Sequence, residues 1–336
     1  MWRTYKIFFS TILAAIIFLS TNISFAAESA NALLARIERD TYGTSMEGAL
    51  LPRLNQLEKD YSGRNLQEDI NTRIESLRTI LYDNSTTPSL IAKVNAIEWN
   101  FGHEVKSGGI ENRIAELENA ILGESSDGTI IDRVRELTRA SFGRDDIPMA
   151  EVQLPADTPI KVALVYPVGT REGQVGDAVT FKVVEDVIVN GDLIFARGLY
   201  GTGIIETLTK ATDWGRNGKL VVDFHKVNCI DGNEIETYVG YEAQDLMTQN
   251  KMVAGAALVG MNIDDSWGKN LVFGKNIEVP ADTELYIQTK SLATVYALKG
   301  GRGSLSIDKS DSEFGDDLDE DFIKDYFNDN DSTINE

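Results

Sequence analysis

Ile110-Glu111-Asn112-Arg113-Ile114-Ala115-Glu116-Leu117, closed a few residues later by Gly123, is the stretch that decides the fold, because its pattern returns along the chain. A basic residue recurs at Arg36, Arg53, Arg73, Lys93, Arg113 and Arg133, with one step of 17 and then four of 20. Three places before each stands Leu33, Leu50, Ile70, Leu90, Ile110 or Ile130, and one place after stands Ile37, Leu54, Ile74, Val94, Ile114 or Val134. Four places after, from the second repeat on, come Leu57, Leu77, Ile97, Leu117 and Leu137, and the middle repeats add Tyr61, Leu81, Phe101 and Ile121. Apolar steps of four, three and four run along one face of a helix, and a fixed period of this length marks a repeat array.

Turn chemistry interrupts each helix at Gly43, Gly63, Asp83-Asn84, Gly102, Gly123 and Gly143, with second glycines at Gly48, Gly108-Gly109 and Gly128. A helix of about thirteen residues is a rod near 20 Å long, and one apolar stripe does not hold it together alone in water. Burial must come from neighbouring repeats or from another chain. Loops of about six residues suit antiparallel neighbours, which favours an array within one chain over an interrupted stalk between chains. Pro52 falls in a first turn, where a missing N–H is harmless, and Pro88-Ser89 supplies a start signal. Asp40, where an apolar residue is due, and Ser141-Phe142, with the aromatic displaced, mark atypical ends.

From about Val152 the period changes to two, with Val, Ile, Thr and Tyr alternating against polar residues. Strands are expected at 160–166, 178–184, 201–207, 219–227, 235–240 and 284–289, with tight reversals at Val189-Asn190-Gly191-Asp192 and Ile230-Asp231-Gly232-Asn233. Few helical stretches intervene, so antiparallel pairing in a β-sandwich or small β-barrel is expected. The phrase Leu154-Pro155-Ala156-Asp157-Thr158 returns as Val279-Pro280-Ala281-Asp282-Thr283, with Phe195-Ala196-Arg197-Gly198-Leu199 as a looser copy. Each reads as a bend delivering the chain into a strand. The small-residue run Met252 to Gly260 is too short to span a membrane and reads as a packed helix or crossover.

The two ends differ from both parts. Residues 1–26 read as a secretory signal, with Arg3 and Lys6, an apolar run from Ile7 to Leu19, and Ser24-Phe25-Ala26 before the cleavage point. The mature chain is then an exported protein of the periplasm or cell surface, able to touch a membrane peripherally. The tail from Ile307 to Glu336 carries twelve acidic residues and two lysines and is expected to be disordered. Its aromatic island Phe322-Ile323-Lys324-Asp325-Tyr326-Phe327 reads as a docking peptide. The division expected is therefore 1–26 signal peptide, 27–150 helical repeats, 151–300 β domain and 301–336 acidic tail, a multidomain α+β chain.

The chemistry is sparse. A net charge of −21 repels phosphate backbones, which argues against nucleic acid as a partner. Cys229 is the only cysteine, so no internal disulfide forms, and its place after an alternating run predicts a buried, inert thiol. His103 and His225 form no ligand pair, and no nucleophile elbow or phosphate-cradling loop is present. Gly215-Arg216-Asn217-Gly218-Lys219 leads into a strand and reads as a hairpin loop. Glu185-Asp186 reads as solvated at a strand end. No catalytic, cofactor or metal residue is assigned.

Gly176-Asp177-Ala178-Val179-Thr180, Asp186 to Gly191, Ala196-Arg197-Gly198, Lys219 to Phe224 and Asp231 to Ile235 together resemble a module of bacterial envelope proteins. Their order is similar to the periplasmic β-barrel domain of conjugation and type IV secretion channel proteins, over roughly Val152 to Lys290. The sequence departs from that module at Leu199, where Thr is usual, and at Asp157 and Asp282, where Gly is usual. No lengthy pair of membrane-crossing helices stands in the sequence, which argues against a channel role. The resemblance implies a scaffold or assembly domain with no catalytic residues, while the helical repeats match no named family. The reading is a non-enzymatic envelope scaffold or adaptor with a protein partner and room for an oligomer. The alternatives are a peptidoglycan or glycan binder, using Trp99, Trp214 or Trp267, and a hydrolase with a carboxylate pair.

Overall fold

The structure, a computed structural model, describes residues 29–212, 217–261 and 276–300. The signal segment, the acidic tail, Trp214, Trp267 and Gly215-Arg216 lie outside the described residues. Six helices come first: α1 Ala30–Tyr42, α2 Leu50–Ser62, α3 Ile70–Tyr82, α4 Leu90–Gly102, α5 Ile110–Ile121 and α6 Ile130–Phe142. Ser29, Asp69, Ser89 and Thr129 start four of them by accepting backbone N–H bonds of the first turn. Gly43, Gly63 and Gly143 stop three of them in the left-handed conformation, each N–H bonding back to the helix. At the end of α4 it is His103, not Gly102, that takes this conformation.

The helices pack on one another within the chain. Each touches its successor, α1 reaches α3 and α5, α2 reaches α6, and α4 reaches α6, so the path coils back on itself. The buried stripe is Leu34/Ile37, Leu54/Leu57, Ile74/Leu77, Val94/Ile97, Ile114/Leu117 and Val134/Leu137. This corrects the spacing read at the first repeat. The period is 20 from the start, Leu33 stands where later repeats carry the basic residue, and Arg36 is out of register. Asp40 is therefore no intruder on the stripe; its carboxylate accepts the Tyr82 hydroxyl at 2.6 Å, and Arg36 lies 4.8 Å over the Tyr82 ring. Phe101 is a second correction, being 54% exposed where Tyr61 and Leu81 are buried. Helix α4 turns the neighbouring Trp99 inward instead, because it is covered on two sides.

An ion-pair ladder, not visible in the hydrophobic period, ties consecutive helices together. Glu38 of α1 takes Arg53 of α2 in a two-pronged bond at 2.8 and 2.6 Å. Glu58 takes Arg73, Glu98 takes Arg113 and Glu118 takes Arg133 in the same way. The remaining oxygen capacity of three glutamates goes to a loop N–H, from Met46, Leu66 and Lys106. Three arginines reach a further acceptor, on Asn31, Asn55 or Asn95. A buried charge is tolerated when it is paired and its other hydrogen-bonding positions are filled; the rungs of Glu38, Glu58 and Glu98 meet both conditions, and that of Glu118 the first.

The second part carries twelve strands among the described residues: β1 Met149–Leu154, β2 Pro159–Leu164, β3 Val168–Gly169, β4 Ala178–Val183, β5 Val187–Val189, β6 Asp192–Phe195, β7 Tyr200–Thr209, β8 Lys219–Asn228, β9 Glu234–Tyr238, β10 Glu278–Val279, β11 Glu284–Thr289 and β12 Ala293–Lys299. The six strands expected from alternation are β2, β4, β7, β8, β9 and β11, which close a barrel in the order β11-β2-β4-β7-β8-β9. The six not expected form a sheet β1-β12-β6-β5 and a ribbon β10-β3. Among the described residues these strands pair antiparallel.

The two Pro-Ala-Asp-Thr phrases lead into β2 and β11, which pair with each other. Asp157 and Asp282 have φ of 61° and 58°, and Gly198 of the looser copy has 90° before β7. The aspartates thus keep the bend that glycine would take, and Thr158 and Thr283 close it by donating to Pro155 and Pro280 carbonyls. The small-residue run folds as helix α8, Val253–Leu258, after α7, Tyr241–Gln249. It packs on β8 and β11, and a Cβ on Gly255 would meet the Glu284 carbonyl oxygen at 2.2 Å.

Candidate functional site

The helices and strands meet along α4, whose sequence Leu90-Ile91-Ala92-Lys93-Val94-Asn95-Ala96-Ile97 is apolar on more than one face. A helix apolar all round is one buried all round. Asn95 donates to the Ile230 carbonyl at 3.0 Å while its own oxygen accepts Arg113, so one side chain ties a ladder rung to the β8–β9 turn. Asn84 donates to the Asp231 carbonyl at 2.9 Å and accepts the Ser89 N–H. Trp99 donates through its indole N–H to Asp186, which also accepts the Arg197 N–H. Val105 N–H donates to the Arg197 carbonyl, and there Gly198 is required, since a Cβ would fall 2.0 Å from the Val105 oxygen. The Asp231 carboxylate is fully buried, accepts Asn233 and the Tyr296 N–H, and burial raises its pKa above the usual carboxylate value. The buried core runs without interruption from the helices into the strands, and the described residues belong to one compact unit.

Beside this joint the ladder is broken. The position that carries Glu38, Glu58, Glu98 and Glu118 elsewhere is Arg78 in α3, and the facing basic position is Lys93 in α4. Two cations cannot form a rung. Arg78 turns outward to Glu75, 2.6 Å away, with its side chain 38% exposed against 2% or less for the four ladder glutamates. The Lys93 amine has no ion pair or hydrogen bond among the described residues, and burial together with the nearby Arg135 lowers its pKa. A cavity of about 300 Å³ opens between α3, α4 and α6, lined by Lys93, Arg135 and the side chains of Thr79, Thr86, Ser89 and Thr138. Asp83 and Asp145 also border it, but Asp83 is engaged by the Ser85 N–H and Asp145 by Arg139.

The residues singled out in the sequence are scattered. His225 lies on β8 with Asp223 3.4 Å away, while His103 ends α4 with its ring 5.3 Å from that of Trp99. Cys229 is buried, and burial followed by Asp231 pushes its thiol pKa well up, as an inert thiol requires. Of Glu185-Asp186, Glu185 is exposed at a strand end as expected and pairs with Lys161 at 2.7 Å, while Asp186 is a correction, being a structural acceptor at the joint. Trp99 belongs to the joint and presents no ring to a glycan. Among the described residues no three His, Cys, Asp or Glu side chains are grouped to hold a metal ion. None of their helices is long and apolar enough to cross a membrane. The residues that sequence reading missed are the ladder glutamates and the joint residues Asn84, Asn95 and Asp231. A glutamate period of 20, interrupted once by Arg78, was the signal for the first group; nothing local marks the second.

No family model matches this chain, and no curated protein matches it. Among solved structures it is similar to ComB10 of the Com type IV secretion system of Helicobacter pylori, at 14% identity, over 42% of this chain and 88% of that one, with a TM-score of 0.24. At that score the likeness carries no weight for function.

Proposed function

We propose that the protein is a non-enzymatic scaffold or adaptor of the cell envelope, exported by its N-terminal segment, which holds a helical platform in fixed relation to a β-barrel so that partner proteins assemble on it. The observation that supports this reading is the joint. The side chains of Asn84 and Asn95 bond to backbone carbonyls of the β8–β9 turn, and the Val105 backbone N–H bonds to the segment before β7. Such bonds specify one orientation, since a buried polar group that loses its partner costs roughly 1–3 kcal/mol. Exposed Ile70 and Phe101 on the helices and Tyr241 on the barrel side provide apolar contact points at separate places.

The test is site-specific photo-crosslinking in intact cells at Ile70, Phe101 and Tyr241, paired with co-sedimentation of the purified mature chain with peptidoglycan. Discrete protein adducts from at least one position, without sedimentation, are expected. Stoichiometric binding to peptidoglycan with no adducts, or release of soluble fragments from it, would overturn the reading.

A further inference from the structure

The ladder offers an internal standard for what is missing between α3 and α4. In four rungs a glutamate carboxylate meets a guanidinium on the next helix, and in three it also accepts a loop N–H. At the interrupted rung the cation Lys93 is present and half-buried, Arg78 stands in place of the carboxylate and turns outward, and a cavity of about 300 Å³ opens beside Lys93. The lining adds Thr79 of α3, Thr86 of the loop before α4 and Arg135 of α6, whose guanidinium pairs with the exposed Asp132 at 2.7 Å, while the Ser89 and Thr138 hydroxyls are engaged by the Ala92 N–H and the Val134 carbonyl. A small carboxylic acid of a few carbons matches both the volume and the chemistry, because a carboxylate is the group that satisfies a buried cation in every intact rung.

We propose that the cavity between α3, α4 and α6 binds a small free carboxylic acid, whose carboxylate replaces the absent ladder glutamate and pairs with Lys93. The site stands on the array alone, so it neither needs nor tests the scaffold reading. Binding couples α3 to α4 next to the joint, as a rung would.

The experiment measures the melting temperature of the full mature chain in succinate against chloride at matched ionic strength. A saturable rise of about 2–4 °C is expected, the size that ligand binding to the folded state produces at moderate saturation. Arg78→Glu should complete the rung with Lys93, raise the melting temperature without succinate and abolish the response to it. In the wild-type chain, succinate should slow acetylation of Lys93, read by mass spectrometry, and leave exposed Lys106 unchanged. No rise, an equal rise in Arg78→Glu, or an unprotected Lys93 overturns the proposal. An equal rise in inorganic phosphate overturns the carboxylate assignment. A response to a peptide ending in Asp-Glu but not to succinate overturns the assignment to a free acid.

Discussion

Glu58 and Arg73 show how far a single rung matters. Both are buried and joined by two bonds, so Arg73→Met leaves a carboxylate without its counter-charge and should cost about 3–5 kcal/mol in urea unfolding. Replacing both, as Glu58→Met with Arg73→Met, should cost far less, because the isolated charge is then gone. Equal losses in the single and double variants would mean the rung acts through packing alone. Asp231 offers a test by pH. Its folded pKa lies above the unfolded value, so its contribution is greatest below about 3.9, the unfolded carboxylate value, and declines as pH rises through the folded pKa. Asp231→Asn should therefore be most destabilised relative to wild type near pH 4, with the gap narrowing toward pH 7. A gap that widens toward pH 7 would contradict the raised pKa.

At the scale of elements, two glycines close in sequence should answer oppositely to alanine. Gly109 precedes α5 where the end of α1 crosses it, and a Cβ there would lie 2.5 Å from the Gly43 nitrogen and 2.8 Å from the Thr41 oxygen. Backbone cannot yield as a side-chain tip can, so Gly109→Ala should cost roughly 1–3 kcal/mol. Gly102 ends α4 with open space around its Cβ position, and Gly102→Ala should stabilise by about 0.4–1 kcal/mol. Thermal unfolding of the two variants decides both signs. The contrast was hidden in the sequence, where each is one glycine among several in a turn, because the crossing of α1 and α5 joins residues far apart in the chain.

For the whole molecule the joint makes array and barrel cooperate, and Cys229 is the built-in reporter. It immediately precedes Ile230, whose carbonyl holds Asn95, and it is buried in the native chain. Asn95→Ala leaves that carbonyl and one N–H of Arg113 without its partner and should speed labelling of Cys229 by a thiol reagent about tenfold or more, the effect of a loss of roughly 1.4 kcal/mol or greater. Ile114→Asp with Leu117→Asp places two charges in the buried stripe and should remove most of the helical circular dichroism, leaving that of α7 and α8, and expose Cys229 as well. Persistence of strand signal in that double variant, with a protease-resistant fragment beginning near Ile147, is expected because β1 starts at Met149 and pairs along its whole length with β12. An unlabelled Cys229 in both variants would show that array and barrel do not depend on each other.

The six short helices and the six barrel strands were legible in the amino-acid pattern, since a stripe at period 3.6 and alternation at period 2 are local consequences of which face must be buried. So were the bends at Asp157 and Asp282, because few residue types tolerate positive φ. The pattern did not reveal β1, β5, β6 and β12, which are short or half-covered and owe their pairing to strands distant in the chain. That Phe101 faces out and Trp99 in follows from folding, because α4 is covered by helices on one side and by the strand part on the other. The ladder, the joint and the empty rung belong to the same class: Glu98, Arg113, Asn95 and Ile230 come together through folding, and a buried charge or amide declares its role only when its partner is beside it.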